Sequence, residues 1–360
     1  MRTLIILIVI LNVSTLFSQQ YYKNYNVDNG LSQNNVTCIL QDHLGFMWFG
    51  TEDGLNKFDG YSFYVYRRES DNNFSLGNNS VTSLAEDLYK NIWVGTQSGL
   101  YKYIRKENKF VRIKLPAVIS QDNVISKMSI WGNNLWVGTA NSSIHNINVK
   151  TEEVTTYLTV DEKGNSVVNN YIYSINAISD NIVLIGTKYT GLNVIYPQNK
   201  RIVYQKLTDE NSGNDWKVNF VAVITKISEN NVIINTDSNL PLLVDIKSFK
   251  GNPLVEKEYL SKFINGYCLD FVNDNENILI GSNNSYLLSY NLSTKKIKEY
   301  KDNFGRVKPF NIVNDIFIDK ENCYWLATSG MGIFYYNPQI KKFASLFYVE
   351  EQKKACDLVV

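Results

Sequence analysis

Apolar and polar residues alternate in short runs along nearly the whole chain, and turn-forming residues separate the runs. Val36 to Gln41 is one such run, Asp42-His43-Leu44-Gly45 a turn, Phe46 to Thr51 a second run, Glu52-Asp53-Gly54 another turn and Leu55 to Phe58 a third run. Asp59-Gly60 then predicts a tight hairpin into Tyr61 to Tyr66. Period-two alternation with Asp-Gly punctuation predicts a four-stranded meander. No segment holds apolar residues at i, i+3, i+4 and i+7 over three turns, so helices are expected to be nearly absent.

The meander recurs. Seven segments align on a Thr or Ser that follows an apolar pair and, usually, Gly: 48–51, 93–96, 136–139, 184–187, 233–236, 279–282 and 325–328, at intervals of 45, 43, 48, 49, 46 and 46 residues. Fifteen or sixteen residues before each anchor an apolar strand opens, at Val36, Val81, Val124, Tyr171, Phe220, Tyr267 and Ile312. A repeat of this length, too small to bury both faces of its own sheet, is the mark of an array. Four strands per unit and seven units predict an all-β, seven-bladed β-propeller of four-stranded antiparallel blades. The large apolar residue that opens the second strand, Trp in four units, is expected to pack between blades. The Gly after it would let neighbouring sheets approach, and the Thr would satisfy backbone groups at the turn.

Fourth strands are one too many. Tyr21 to Asn26 resembles one and Lys341 to Phe347 another, giving eight for seven blades. The expectation is that Tyr21 to Asn26 completes the blade built from Ile312 to Tyr336, so that the N-terminal strand closes the ring. The domain reading is then a signal peptide over 1–18, the propeller over 19–347 and a C-terminal tail over 348–360.

Composition narrows what such a ring does. Lys and Arg total 36 against 35 Asp and Glu, without the basic excess of a nucleic-acid binder. Two histidines, His43 and His145, and four dispersed cysteines leave little material for histidine chemistry, a zinc knuckle or a disulfide framework. No cofactor and no metal are expected. Arg2, the apolar Leu4 to Val13 and the small residues up to Ser18 read as a secretory leader, so the mature chain is expected in the periplasm or otherwise exported, without insertion into the membrane.

Asn29-Gly30-Leu31-Ser32-Gln33-Asn34-Asn35-Val36, with Gln41-Asp42-His43-Leu44-Gly45-Phe46-Met47-Trp48-Phe49-Gly50-Thr51-Glu52-Asp53-Gly54-Leu55, resembles the two-component regulator propeller repeat. Val81 to Tyr103 repeats it clearly, and Asn322 to Tyr336 does so with Ala327 in place of Gly. That resemblance implies the periplasmic sensor region of hybrid histidine kinases typical of Bacteroidetes. Signalling members of the family usually carry a second propeller, an immunoglobulin-like domain, a membrane helix and a kinase. The resemblance is therefore to a truncated or partial sensor, and kinase activity is not carried over.

Ligands of propellers usually sit at the channel mouth, on the face of the second-to-third-strand turns and the blade links. Asparagine, carboxylate and aromatic groups there suit a carbohydrate, because planar rings cover apolar sugar faces while amides and carboxylates match hydroxyls. The candidate binding residues are Asn35, Glu52, Asp53, Gln97, Asn170, Tyr189, Trp216, Asp237 and Asn284. Each has a bland alternative: the polar ones as turn formers, Trp216 as rim packing. Adjacent carboxylates such as Glu52-Asp53 and Glu86-Asp87 point to opposite faces of a strand and make poor hydrolytic pairs. Asn273-Asp274-Asn275-Glu276-Asn277 reads as a turn between strands rather than a calcium loop, lacking the glycine and spaced Glu of an EF-hand. The expected function is non-enzymatic ligand sensing, with an oligosaccharide or other small ligand and a periplasmic or membrane signalling protein as partners. The alternatives are a periplasmic interaction scaffold and, further off, a carbohydrate-active propeller enzyme.

Overall fold

In the computed structural model of the chain the described residues are 22–116, 124–236, 241–255, 268–274, 277–282, 287–300 and 312–339. The leader, the surplus strand Lys341 to Phe347, the tail, Tyr267, Asp237 and Asn284 lie outside them. The described strands form seven antiparallel-meander sheets. Their first strands are Val36–Gln41, Val81–Glu86, Ile125–Trp131, Ile172–Ser179, Val221–Lys226, Cys268–Asp274 and Val313–Ile318. Each first strand touches the first strands of the sheets before and after it, and the last touches the first, so these seven ring the axis of a closed β-propeller. Among the described residues helical structure is limited to three 3-10 turns, at Val27–Asn29, Arg105–Glu107 and Pro197–Asn199. First strands begin at the upper face, which carries the second-to-third turns and the blade links; the other turns lie on the lower face.

The ring is closed by the amino-terminal strand, as its sequence predicts. Tyr22–Tyr25 pairs antiparallel with Gly332–Tyr336, Tyr22 opposite Tyr336 and Tyr25 opposite Ile333. Tyr25 stacks on Trp325 at 6.1 Å between ring centroids and meets Phe58 edge-on at 5.0 Å, so the closing strand also joins the seventh blade to the first.

The anchor motif explains the sevenfold regularity. Trp48, Trp93, Trp136 and Trp325 are buried, each in an apolar cluster shared with the next blade around the ring. A Cβ on Gly50, Gly95, Gly138, Gly186 or Gly281 would lie 2.6–2.8 Å from a methyl carbon of the residue that opens the next first strand: Val81, Ile125, Ile172, Val221 or Val313. Carbon atoms in contact sit at about 3.5–4.0 Å, so sheets this close admit only hydrogen there. In blade seven Ala327 replaces the glycine and shares a cluster with Val36. The anchor threonines Thr51, Thr96, Thr139, Thr187 and Thr328 donate their hydroxyls to the carbonyls of Gly54, Gly99, Ser143, Gly191 and Gly332, closing the turns.

Three expectations are corrected in detail. Every first strand carries a β-bulge just after its opening, as where Val36 pairs with Thr51 but Cys38 pairs with Gly50. Five first strands also begin one residue later than the apolar pattern predicts, at the residue paired with the anchor Thr or Ser; Val124, Tyr171 and Ile312 still accept bonds from Ala140, Lys188 and Ser329. Asp59-Gly60 is not a two-residue hairpin: Phe58 pairs with Phe63, and the Asp59 carboxylate captures the Tyr61 and Ser62 amides to hold a four-residue loop. Blade five has six strands, because Leu207–Asp209 lies parallel to Lys250–Pro253 and itself pairs with Asp215–Trp216.

Candidate functional site

The described residues among those singled out in the sequence, all but Asp237 and Asn284, reach the upper face or its links, but many of their polar atoms are used within the protein. Asp53 pairs with Arg67 at 3.0 Å and accepts the Asn79 amide at 3.0 Å, stitching the turn of blade one to the following link. Asn35 accepts from Asn314 at 3.3 Å across the seam between blades seven and one. Asn170 is fully buried: its amide donates to Thr159 and Thr190 and its carbonyl accepts the Tyr189 amide. Glu52 and Gln97 are exposed, and the structure gives their side chains no partner that groups them with the others. Trp216 is half-buried against the apolar cluster of blades four and five, on the added strand pair of blade five. Its indole nitrogen is buried without a hydrogen-bond partner among the described residues.

One place on this face gathers aromatic rings. Tyr171 and Tyr173, at the opening of blade four, lie 4.8 Å apart, and Tyr173 meets Phe220, at the opening of blade five, edge-on at 4.9 Å. The second-to-third turn of blade four joins them: the Lys188 amide donates to the Tyr171 carbonyl, and the Tyr189 ring beside it is 57% exposed. The Lys188 ammonium lies 5.0 Å from the centre of that ring. Its hydrogen bond to Tyr189, with the nearby Tyr173, raises its pKa and keeps it charged. Burial and the adjacent Tyr173 raise the Tyr171 hydroxyl's pKa, so it stays a neutral donor. Of this group sequence reasoning named only Tyr189. The missing signal lies just ahead of the first strands, where Asn35, Ser80 and Val124 of the first three units give way to Tyr171 and Phe220.

Elsewhere on the ring axis the corresponding positions do something else. The residue after the opening reaches over the seam to the next blade's first carbonyl: Thr37 to Val81 at 2.6 Å, Thr82 to Ile125 at 2.7 Å and Asn314 to Val36 at 2.7 Å. Tyr173 occupies this position in blade four.

The lower face holds a second pattern that sequence reasoning passed over. Asp42, Asp87 and Asp319 each stand six residues before a tryptophan, and one carboxylate oxygen of each accepts the indole N–H, of Trp48, Trp93 and Trp325, at 2.7–2.8 Å. The other oxygen accepts two backbone amides of the intervening turn in each case. Of the adjacent carboxylates, Asp87 is therefore structural, and Glu86 binds His43 at 2.6 Å and Arg105 at 3.1 Å. Arg105 also bonds Asp42 at 2.9 Å. Beyond this network the lower turns of blades one to three leave Leu44, Tyr61, Leu88, Tyr89 and Trp131 exposed, Tyr61 at 93%.

The first blade's Asp-Trp turn and Gly-Thr anchor, placed in a closed seven-bladed ring, fit one known repeat. Residues 30–53 match the two component regulator propeller repeat. A 55-residue stretch, 15% of the chain, is 46% identical to histidine kinase P4 of Formosa agariphila, of which it covers 4%. Among solved structures the chain is similar to the extracellular domain assigned to the hybrid two component system BT3049 from B. thetaiotaomicron, with a TM-score of 0.70 and 23% identity over 88% of this chain and 42% of that one. The extracellular domain of BT4673 from the same organism gives 0.69 and 23%, covering 89% and 40%. The chain thus spans about two fifths of those structures, and at this identity the likeness is one of fold. No helix among the described residues is long and apolar enough to cross a membrane.

Proposed function

We propose that this chain is an exported, non-catalytic sensor propeller that binds a glycan fragment at the upper mouth of its channel, beside blades four and five. The observation that carries the reading is the ring cluster Tyr171, Tyr173 and Phe220, with Tyr189 exposed on the adjoining turn and Tyr173 at the position where blades one, two and seven place seam-bonding side chains. Aromatic faces with phenol hydroxyls at their edges match the apolar and hydroxylated faces of a sugar. Similarity to extracellular domains of two component systems supports a sensing role over a catalytic one. Three of the four adjacent carboxylates support it too: Asp53 is spent on Arg67, Glu86 on His43 and Arg105, and Asp87 on Trp93. Binding would act by favouring one arrangement of the propeller relative to a periplasmic or membrane signalling partner. Titration calorimetry against a panel of oligosaccharides tests this: saturable heat with at least one is expected, and none at millimolar ligand refutes it.

A second reading, an interaction scaffold, is favoured by the exposed apolar row Leu44, Leu88, Tyr89 and Trp131 on the lower face. A pull-down returning one stoichiometric protein partner, lost in Leu88→Asp and accompanied by no response to sugars, supports this reading against the first.

A further inference from the structure

Within the glycan reading, on which this inference rests, the upper turn of blade four differs in charge from its counterparts. The equivalent turns read Glu52-Asp53 in blade one, Gln97-Ser98 in blade two, Asn141-Ser142 in blade three and Ser329-Gly330 in blade seven. Blade four alone among these described turns carries a cation, in Lys188-Tyr189-Thr190. No carboxylate lies within ion-pairing distance of Lys188 among the described residues; its electrostatic neighbours are the phenols of Tyr189 and Tyr173. Its surroundings differ from those of Lys206, whose ammonium is held between Glu162 and Asp215.

We propose that Lys188 makes this mouth selective for acidic saccharides, the ammonium receiving a carboxylate or sulfate of a sugar whose ring lies on the tyrosines. A sugar lying on the Tyr173 ring presents equatorial and exocyclic substituents toward the neighbouring turn, where the ammonium stands over the Tyr189 ring. Covering the rings also displaces water from beside the ammonium, and a charge pair gains strength as its surroundings dry. The protein as a whole supplies no competing attraction, since its charges balance at 36 to 35. Selectivity therefore has to arise locally. The phenols contribute by donating to neutral hydroxyls, so a neutral sugar is held more weakly rather than excluded.

The test is calorimetric, on the whole chain, with short oligouronides and the same oligosaccharides after reduction of their carboxyl groups to alcohols. The acidic series is expected to bind about tenfold tighter, the equivalent of one charge-assisted contact. Added salt shrinks the difference. Lys188→Met brings the affinity for the acidic series down to that for the reduced series, Lys188→Arg restores the preference, and Tyr173→Ala weakens both series. Equal affinities of the unaltered chain for the two series overturn the selection and leave the glycan reading standing, and so does a preference that survives in Lys188→Met. Binding of neither series overturns both.

Discussion

Replacing Gly95 by alanine measures how much of the ring's stability rests on the seam between blades two and three. The added methyl would lie 2.6 Å from Cγ2 and 3.1 Å from Cβ of Ile125, a residue with no exposed surface. Ile125 is β-branched and opens the next first strand, so its χ1 has little freedom to turn Cγ2 aside, and about 1 Å of separation has to come from the sheets themselves. Overpacking of this kind costs about 1–3 kcal/mol. Ile125→Ala alone removes a fully buried side chain and costs about 2–5 kcal/mol. Together the two changes partly repair each other, because the methyl introduced at position 95 enters the space that Cγ2 vacates. The double variant is expected to be more stable than the sum of the singles by about 1–2 kcal/mol. Urea unfolding of the four proteins, with equal m-values as the check on a common denatured state, gives the coupling. The reasoning fails if Gly95→Ala stays within about 0.5 kcal/mol of the unaltered chain or if the cycle closes additively.

Two further outcomes follow from buried and hydrogen-bonded titratable groups. Burial, with the Asp315 carboxylate nearby, pushes the Cys38 thiol up to about 12, so at neutral pH it is protonated and enclosed. Thiol-specific labelling located by mass spectrometry is expected to reach Cys38 only at the rate of unfolding, and rapid labelling of the native chain contradicts the packing. Asp245 accepts from the Ser248 hydroxyl and amide and from the Lys247 amide, which holds its carboxyl below the ordinary aspartate value of 3.8. A lowered folded pKa means that the stabilisation is complete above the unfolded value and disappears as pH falls through the folded one. Carbon-13 NMR titration should therefore place its midpoint below 3.8, and a midpoint at or above that value removes the turn from any account of acid unfolding.

What was legible in the sequence is what the blades repeat through local chemistry. The Trp-Val-Gly-Thr anchors state a seam contact, a close approach and a turn within four residues, so alignment on them yields blade number, closure and the absence of regular helix. The bulges were not legible, because a run such as Val36-Thr37-Cys38-Ile39-Leu40-Gln41 reads the same whether its second residue pairs or loops out; only the partner strand decides. Asp42, Asp87 and Asp319 could have been found by spacing, each six residues before Trp, in the three units with the clearest repeat. The added strands Leu207–Asp209 and Asp215–Trp216 are too short for alternation to announce, so the packing open to Trp216 read as packing over the rim, without the strand pair that sets it against blades four and five.

The same comparison explains why the aromatic mouth occurs where it does. In blades seven, one and two the residue after each opening holds the seam, through Asn314, Thr37 and Thr82, and a ring there would cost the cross-blade bond. Blades four and five keep the bonds one turn of the pleat farther from the mouth: Ser174 accepts the Ile224 amide at 3.0 Å, as Ser83 accepts the Met128 amide between blades two and three, and Asn176 donates to the Ile224 carbonyl at 3.2 Å. At the position above, Tyr173 stands in place of a seam-bonding side chain and leans on Phe220 across the junction. Departure from the repeat at this point is matched by a compensating contact, the combination expected where a fold gives up local consistency for a site. The weaker repeat of the fourth unit, which made its boundaries harder to read, thus falls at the junction where the rings gather and where the proposed reading puts the ligand.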